Sequence, residues 1–152
     1  MSVESVKKHF KEANLGLEVI EMNNSTATVE LAARAIGVEE GQIAKTIALE
    51  LKEETILIVC KGDAKIDNRK YKDEFAIKAK MLSFENVEKI TGHPVGGVCP
   101  FGLKNPLKIY LDESLKQYDY VYPAAGATNS AVKIDLDLLQ SSTNGVWIDV
   151  CK

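Results

Sequence analysis

The feature of this sequence that most constrains the fold is a pair of apolar segments separated by a short charged stretch. Ile47, Leu49 and Leu51 alternate with small or charged residues, which is typical of a strand with one buried face. After the charged residues 52–54 comes a continuous apolar run at residues 56–60, which is typical of a strand buried on both faces. The pattern predicts a β-hairpin whose second strand is central in a sheet.

Three amphipathic helices and four further strands are predicted around this hairpin. The helices are marked by apolar residues at helical spacing and by glycine stops: Val3, Val6, Phe10 and Ala13 before Gly16; residues 29–36 between a Thr28 cap and Gly37; and residues 83–91, with Phe84, Val87 and Ile90 as the apolar stripe, before Gly92. The further strands are predicted at residues 107–111, 120–122, 131–134 and 146–151. We therefore expect an α/β protein, a single domain over residues 1–152 with a mixed, largely antiparallel β-sheet flanked by helices.

Composition excludes several classes of protein. The chain has 152 residues, a formal net charge of −3 and 45% hydrophobic residues, as expected for a globular domain rather than a disordered or fibrous one. No apolar run approaches the ~20 residues that span a bilayer, and Glu4 lies where a secretory signal would be basic and then apolar. We expect a cytoplasmic protein with no membrane partner. Its three cysteines, Cys60, Cys99 and Cys151, are expected to be buried and reduced.

The sequence offers little for metal or nucleotide chemistry. The chain contains only His9 and His93, and its three cysteines form no C-x-x-C pair, so neither a metal site nor a cofactor is expected. Neither of the common glycine-rich phosphate motifs occurs. His9 is predicted on the polar side of the first helix. His93 precedes Pro94 in a loop, where a catalytic role is the less favoured interpretation.

Two features remain as candidates for function. Lys45 lies at the start of a strand with apolar neighbours, where an ammonium group is costly to bury unless it meets an anion or a polarised carbonyl. The alternative is a lysine that extends along the strand end to reach water. The second feature is the glycine-rich segment of residues 95–102, in which glycines permit close approach of the backbone to a ligand. The alternative is a strand with a bulge and a turn.

An ordered set of motifs connects these features along nearly the whole chain. The set comprises Thr28-x-Glu30-x-Ala32-Ala33 with Gly37, Gln42-Ile43-Ala44-Lys45-Thr46, Lys61-Gly62-Asp63, Thr91-Gly92-x-x-Val95-Gly96-Gly97-Val98-x-Pro100-x-Gly102, Asp112 and Gly126. In this order the motifs resemble those of the YbaK-like aminoacyl-tRNA editing domains, which are related to the insertion domain of bacterial prolyl-tRNA synthetase.

The resemblance implies a trans-acting aminoacyl-tRNA deacylase that hydrolyses the ester of a mischarged tRNA carrying a small or medium amino acid, without a metal. It assigns Lys45 as the essential lysine and Gly96, Gly97 and Pro100 to a loop lining the site. The residues expected to bind substrate are Thr46, Val98, Cys99, Gly102, Gly126 and Ala127. The implied partner is the aminoacylated 3′ end of tRNA, and neither DNA nor a membrane is expected. Whether an aminoacyl-tRNA synthetase also takes part is left open. The alternative is a non-catalytic adaptor module that binds aminoacyl-tRNA or a synthetase.

Two positions depart from known groups within this family. Alanine-specific relatives tend to have asparagine after the lysine, whereas this chain has Thr46. Cysteine-specific relatives often have Ser-Gly-Gly late in the chain, whereas this chain has Ala124-Ala125-Gly126. The sequence therefore leaves open which amino acid is removed.

Residues 61–72, here called the basic segment, have a local net charge of +3. Lys61, Lys65, Arg69 and Lys70 are the predicted contacts to tRNA phosphates. Tyr71 among these cations could stack on a base. The alternative interpretation is a solvated surface.

Overall fold

The computed structural model describes residues 2–152 and contains five α-helices and eight β-strands. The helices are α1 (Ser2–Glu12), α2 (Val29–Ile36), α3 (Asn68–Phe75), α4 (Phe84–Thr91) and α5 (Leu136–Thr143). The strands are β1 (Ile20–Glu21), β2 (Ile43–Leu51), β3 (Glu54–Lys61), β4 (Lys108–Asp112), β5 (Tyr120–Pro123), β6 (Ser130–Ala131), β7 (Ile134–Asp135) and β8 (Val146–Ile148). No helix within residues 2–152 is both long enough and apolar enough to cross a bilayer.

The predicted hairpin is present and forms the centre of the main sheet. β2 and β3 pair in an antiparallel arrangement with a two-residue turn, and β3 lies between β2 and β4 in a six-stranded sheet of order β7-β5-β2-β3-β4-β8. The α/β class and the mixed sheet are confirmed, and the β2–β3 hairpin is the longest pairing. The β2–β5, β3–β4 and β4–β8 pairs are parallel, so the sheet has more parallel neighbours than the sequence indicated. A separate antiparallel pair joins β1 and β6.

Apolar packing on both faces explains the uninterrupted run in β3. Leu57 and Val59 pack in the larger core with residues of α1, α4 and α5. Ile58 and Cys60 point to the opposite face, where α3 contributes Tyr71. Since both faces are covered, positions 56–60 of the strand all favour apolar residues.

Local capping sets the helix boundaries. α2 agrees with its prediction, because the Thr28 side chain accepts from the Leu31 N–H and Gly37 ends the helix in the left-handed region. α3 and α5 were not predicted, although Asp67 and Asp135 cap them in the same way. These aspartates are the sequence signal that could have indicated both helices.

Three strand and helix predictions need correction. Residues 131–134 do not form one strand, because β6 pairs with β1 whereas β7 pairs with β5. The strand predicted at residues 146–151 ends at Ile148, and the Val150 N–H then donates to the Asp112 carboxylate. Phe84 was expected in the apolar stripe of α4, but its side chain is 79% exposed.

Candidate active site

A cavity of about 250 Å³ lies between the start of α2, the face of β2, the start of α4 and the glycine-rich segment. We call it the Lys45 cavity, because Lys45 and Thr46 both line it. Its other lining residues are mostly apolar, including Ile43, Ala48 and Val87. A volume below that of typical drug-sized pockets suits a small ligand or one end of a larger one.

Lys45 is held by both the sheet and its own side chain. Its backbone pairs with Cys60 on β3, and its half-buried side chain donates a hydrogen bond from Nζ to the Ala64 carbonyl. An ammonium group has three donors, so this bond leaves capacity to bind an oxygen of a ligand. The bond also places Lys45 next to the start of the basic segment, which contains Ala64.

Thr46 contributes the most informative polar atom of the cavity. Its Oγ1 is buried and has no hydrogen-bond partner within residues 2–152. A buried hydroxyl without a partner costs about 1–3 kcal/mol, so a ligand group that bonds to it recovers free energy. Thr46 is therefore a candidate specificity residue.

The glycine-rich segment approaches the cavity through its backbone. Gly96 and Val98 line the cavity, and Gly96 has a φ of +90°, with the Ala27 backbone 3.1 Å from where a Cβ would lie. At Gly97 a Cβ would lie 2.8 Å from the Ala127 nitrogen. The Gly97 N–H already donates to the Pro94 carbonyl at 2.9 Å, so it is not free to bind a ligand.

Cys99 and Pro100 are buried beneath this segment and do not line the cavity. Burial raises the pKa of the Cys99 thiol to about 12, which keeps it protonated at neutral pH. His93 lies beside this thiol, with Nε2 3.6 Å from Sγ, a proximity that was not predicted from the sequence. Nε2 also lies 2.6 Å from the Phe101 carbonyl, which only accepts, so this nitrogen donates there and cannot take the thiol proton.

His93 instead connects α1 to the glycine-rich segment. It is fully buried, and its Nδ1 is hydrogen-bonded to the Ser2 hydroxyl. Burial lowers the pKa of this imidazole, so the neutral form is favoured. Both ring nitrogens are engaged, which gives His93 a structural role.

Gly102, Gly126 and Ala127 are not brought into the Lys45 cavity. They line a separate open groove against the first turn of α1. A Cβ at Gly102 would lie 2.6 Å from the Ser5 backbone, and one at Gly126 would lie 2.8 Å from the Ser2 carbonyl oxygen. The Gly126 N–H donates to the Gly97 carbonyl at 3.0 Å, so the backbone at Gly126 stabilises the glycine-rich segment.

The basic segment divides into paired and exposed cations. Lys61 lies 3.4 Å from Asp63, and Lys70 donates to Asp149 at 3.0 Å and to the Cys151 carbonyl at 2.9 Å. The bond to Asp149 raises the pKa of Lys70. Lys65 and Arg69 are exposed.

The suggestion that Tyr71 stacks on a base is wrong. Its side chain is fully buried in the core beneath α3, with its ring centroid 4.7 Å from that of Phe75. The burial of Tyr71 was not evident from the sequence, because the residues next to it in α3 are charged.

Several cavity residues were not singled out from the sequence. Ala27 and Thr28 line it at the start of α2, and Met81 and Phe84 line it at the start of α4. Ser130 also lines it, while its Oγ accepts from the Ala125 and Ala127 N–H groups at 3.2 and 3.0 Å. That these residues line the cavity follows only from how α2 and α4 lie against β2.

The fold and the cavity define an α/β domain with a small, largely apolar cavity beside one lysine. No cluster of three or more potential metal-ligating side chains occurs in residues 2–152. A family model described as "Aminoacyl-tRNA editing domain" matches residues 23–141. The chain belongs to this family of editing domains, which confirms the resemblance seen in the sequence.

Individual relatives agree with this assignment. The uncharacterized protein YwhH of Bacillus subtilis is 48% identical over 100% of this chain and 98% of its own length. EbsC of Enterococcus faecalis, named as a candidate Cys-tRNA(Pro)/Cys-tRNA(Cys) deacylase, is 29% identical over 81% of this chain and 76% of its own length. A proline–tRNA ligase of Caldicellulosiruptor bescii is 27% identical over 70% of this chain but only 18% of the ligase.

A solved structure confirms the fold. A crystal structure described as a candidate trans-editing enzyme for prolyl tRNA synthetase superposes with a TM-score of 0.91 and 30% identity. The match covers 99% of this chain and 97% of that protein.

Proposed function

We propose that this protein is a trans-acting aminoacyl-tRNA deacylase that hydrolyses the ester of a mischarged tRNA. The observation that carries the proposal is the Lys45 cavity, in which a lysine and the unpartnered hydroxyl of Thr46 line a space of about 250 Å³. This volume suits an aminoacyl group of small or medium size. One relative is named as a candidate deacylase and one similar structure as a candidate trans-editing enzyme. These names support hydrolysis by a protein that is separate from the synthetase.

In the proposed reaction, the Lys45 ammonium binds the ester carbonyl oxygen or an adjoining phosphate. A water oxygen attacks the carbonyl carbon, and negative charge develops on the carbonyl oxygen. Lys45, with a backbone N–H of Gly96 or Val98, stabilises that charge. Collapse of the intermediate breaks the bond to the ribose oxygen. This oxygen takes up the proton that the attacking water has lost, so the products are the free amino acid and a ribose hydroxyl.

Activation of the water is assigned to the substrate. Within the described part of the chain, neither a carboxylate nor an imidazole lines the Lys45 cavity. The ribose hydroxyl next to the ester, or a polar group of the amino acid, lies close to the attacked carbon in any bound pose. We therefore propose substrate-assisted hydrolysis that requires neither a protein base nor a metal.

Thr46 and Ala124 are the residues proposed to select the amino acid, since both line the cavity. Thr46 offers a hydroxyl where alanine-specific relatives tend to have asparagine. Ala124 lacks the hydroxyl that cysteine-specific relatives often have. A pocket built to bond a polar group rejects ligands that lack it, so the identity of the preferred amino acid tests both positions.

The test is a deacylation panel of tRNAs mischarged with small and medium amino acids, with and without a strong chelator. The proposal expects wild-type protein to release at least one amino acid well above the spontaneous rate, unchanged by the chelator. Hydrolysis lost in chelator and restored by added metal would contradict the metal-free mechanism. Tight binding of charged tRNA without any hydrolysis would instead identify the adaptor module.

A further inference from the structure

Three exposed apolar side chains cluster at the mouth of the Lys45 cavity. Among the described residues, seven large apolar side chains are exposed, and Met81, Phe84 and Val95 all line this one cavity. Phe84 is 79% exposed and Met81 is 61% exposed. Single exposed apolar residues are ordinary on a protein surface, whereas a group of them at a cavity mouth indicates a binding surface.

We propose that the Phe84 ring, flanked by Met81 and Val95, is the stacking platform for the terminal base of the aminoacylated RNA 3′ end. This inference rests on the proposed function and names the subsite that receives the nucleoside. The ester joins the amino acid to the terminal ribose. When the amino acid occupies the cavity, the base on that ribose therefore lies at its mouth, where the phenyl ring is exposed. Unpaired bases bind proteins largely by stacking on such rings.

The backbone immediately before Phe84 is fixed against β2. Immediately before α4, the Leu82 N–H donates to the Ala48 carbonyl at 2.9 Å, and Met81 forms a β-bridge with Leu49. The preceding segment is therefore fixed along β2. Because this backbone is already ordered, binding of the base has to order only the Phe84 side chain, which favours affinity.

The chemistry around Phe84 favours a base over the other candidate occupants. Glu85 places a negative charge in the first turn of α4, which disfavours a phosphate at this helix end. The patch consists of only three side chains, Met81, Phe84 and Val95. A stable protein interface buries roughly 1,200–2,000 Å² in total, far more than this patch supplies.

The experiment measures kcat and KM of Phe84→Ala on two substrates. One is an aminoacyl-tRNA identified in the deacylation panel, and the other is the same aminoacyl ester of 1-O-methylribose, which keeps the ribose but has no base. Because stacking acts on binding, KM for the tRNA should rise roughly 5- to 150-fold with kcat nearly unchanged. The base-free ester should be hydrolysed equally well by wild type and variant.

Matched variants separate stacking from general apolar contact. Phe84→Trp and Phe84→Tyr should retain the wild-type KM, while Phe84→Leu should resemble Phe84→Ala. Val146→Ala removes an exposed apolar side chain, 49% exposed on β8, and should have no effect. The inference is overturned if Phe84→Ala leaves the tRNA KM unchanged. It is also overturned if both substrates are affected equally, since the ring would then belong to the aminoacyl pocket.

A binding measurement keeps this inference separable from the proposed function. A short single-stranded RNA ending in 2-aminopurine is titrated with wild type and Phe84→Ala, and base fluorescence is followed. Quenching by wild type that is lost in Phe84→Ala supports the platform even if no ester is hydrolysed. Equal fluorescence changes with both proteins would overturn it, as would a Phe84→Ala defect confined to binding a synthetase.

Discussion

The Lys45 cavity and the basic segment differ in how completely the chain itself satisfies their side chains. In the cavity, the Thr46 hydroxyl has no partner and Phe84 at the mouth is largely exposed. Groups that remain unsatisfied within the chain are the ones that a ligand can satisfy. These unsatisfied groups are the reason that we propose a ligand-binding role for the cavity.

The basic segment shows the opposite arrangement at two of its four predicted tRNA contacts. Lys61 and Lys70 are near or bonded to carboxylates. The Tyr71 ring is buried in the core, although its hydroxyl, like that of Thr46, has no partner among residues 2–152. Two of its four predicted tRNA contacts, Lys65 and Arg69, remain exposed and free to meet phosphates. The comparison shows that residue type alone overstates a binding surface when its charges already have partners.

The largest expected effect outside catalysis concerns Tyr71. Tyr71→Ala should lower the free energy of unfolding by about 3–5 kcal/mol, because it removes a fully buried aromatic side chain. Tyr71→Phe should be neutral or stabilising, since the Tyr71 hydroxyl is buried without a partner among residues 2–152. Denaturant unfolding measures both. If Tyr71→Ala had normal stability but weaker RNA binding, Tyr71 would belong to the RNA-binding surface and not to the core.

A second prediction compares the exposed cations of the basic segment with a paired one. If Lys65 and Arg69 contact phosphates, replacing both with Ala should reduce the slope of log K for tRNA against log salt by about 1–2. Lys70→Ala should change that slope little, because its ammonium is bonded to Asp149 and to the Cys151 carbonyl. Lys8→Ala on α1 controls for loss of a surface cation. An unchanged slope in the Lys65 and Arg69 double variant would make the whole segment a solvated surface.

A third prediction concerns the thiol beneath the glycine-rich segment. Cys99→Ser should keep the deacylation rate within roughly tenfold, a barrier change of ~1.4 kcal/mol. The thiol is protonated, buried and outside the cavity, so it is not a nucleophile. Single-turnover kinetics on folded variant protein measure the rate. A loss of several orders of magnitude, or a trapped acyl-enzyme, would contradict this interpretation.

The smallest expected effect is the pH dependence that His93 gives to stability. The pKa of His93 is lowered in the folded protein, so the unfolded chain takes up its proton first as pH falls below about 6.5. Stability should therefore decrease between pH 7.5 and pH 5.5, by about 1 kcal/mol or less from this group. Urea unfolding at both pH values should show a smaller decrease for His93→Gln. An equal decrease in the two proteins would remove His93 as the cause.

Local sequence signals were sufficient to predict a helix or strand where they agreed with its packing in the fold. α2 was predicted from its Thr28 cap, its apolar spacing and Gly37, and the hairpin from its alternation and apolar run. α3 was not predicted: Asp67 could have indicated where it begins, but among so many charged residues only tertiary packing shows that Tyr71 is buried.

The sequence predicted two walls of the candidate site but not its mouth. The motif around Lys45 indicated one wall of the cavity and the glycine-rich segment another. Phe84 has the spacing of a core residue, and its exposure depends on how α4 lies against β2, which periodicity does not encode. Gly102 and Gly126 matched the motif but pack against α1, since a glycine that admits a neighbouring backbone looks the same in sequence as one that admits a ligand.

The most direct test of the account is single-turnover deacylation of a mischarged tRNA by wild type, Lys45→Ala and Lys45→Arg, with Lys8→Ala as the surface-lysine control. Circular dichroism confirms that each protein is folded. Removal of one preorganised charge should slow Lys45→Ala by 10²–10³, or ~3–4 kcal/mol in the transition state. Lys45→Arg should also be slow, because a planar guanidinium does not replace a compact ammonium. Hydrolysis by Lys45→Ala at the wild-type rate would contradict the account.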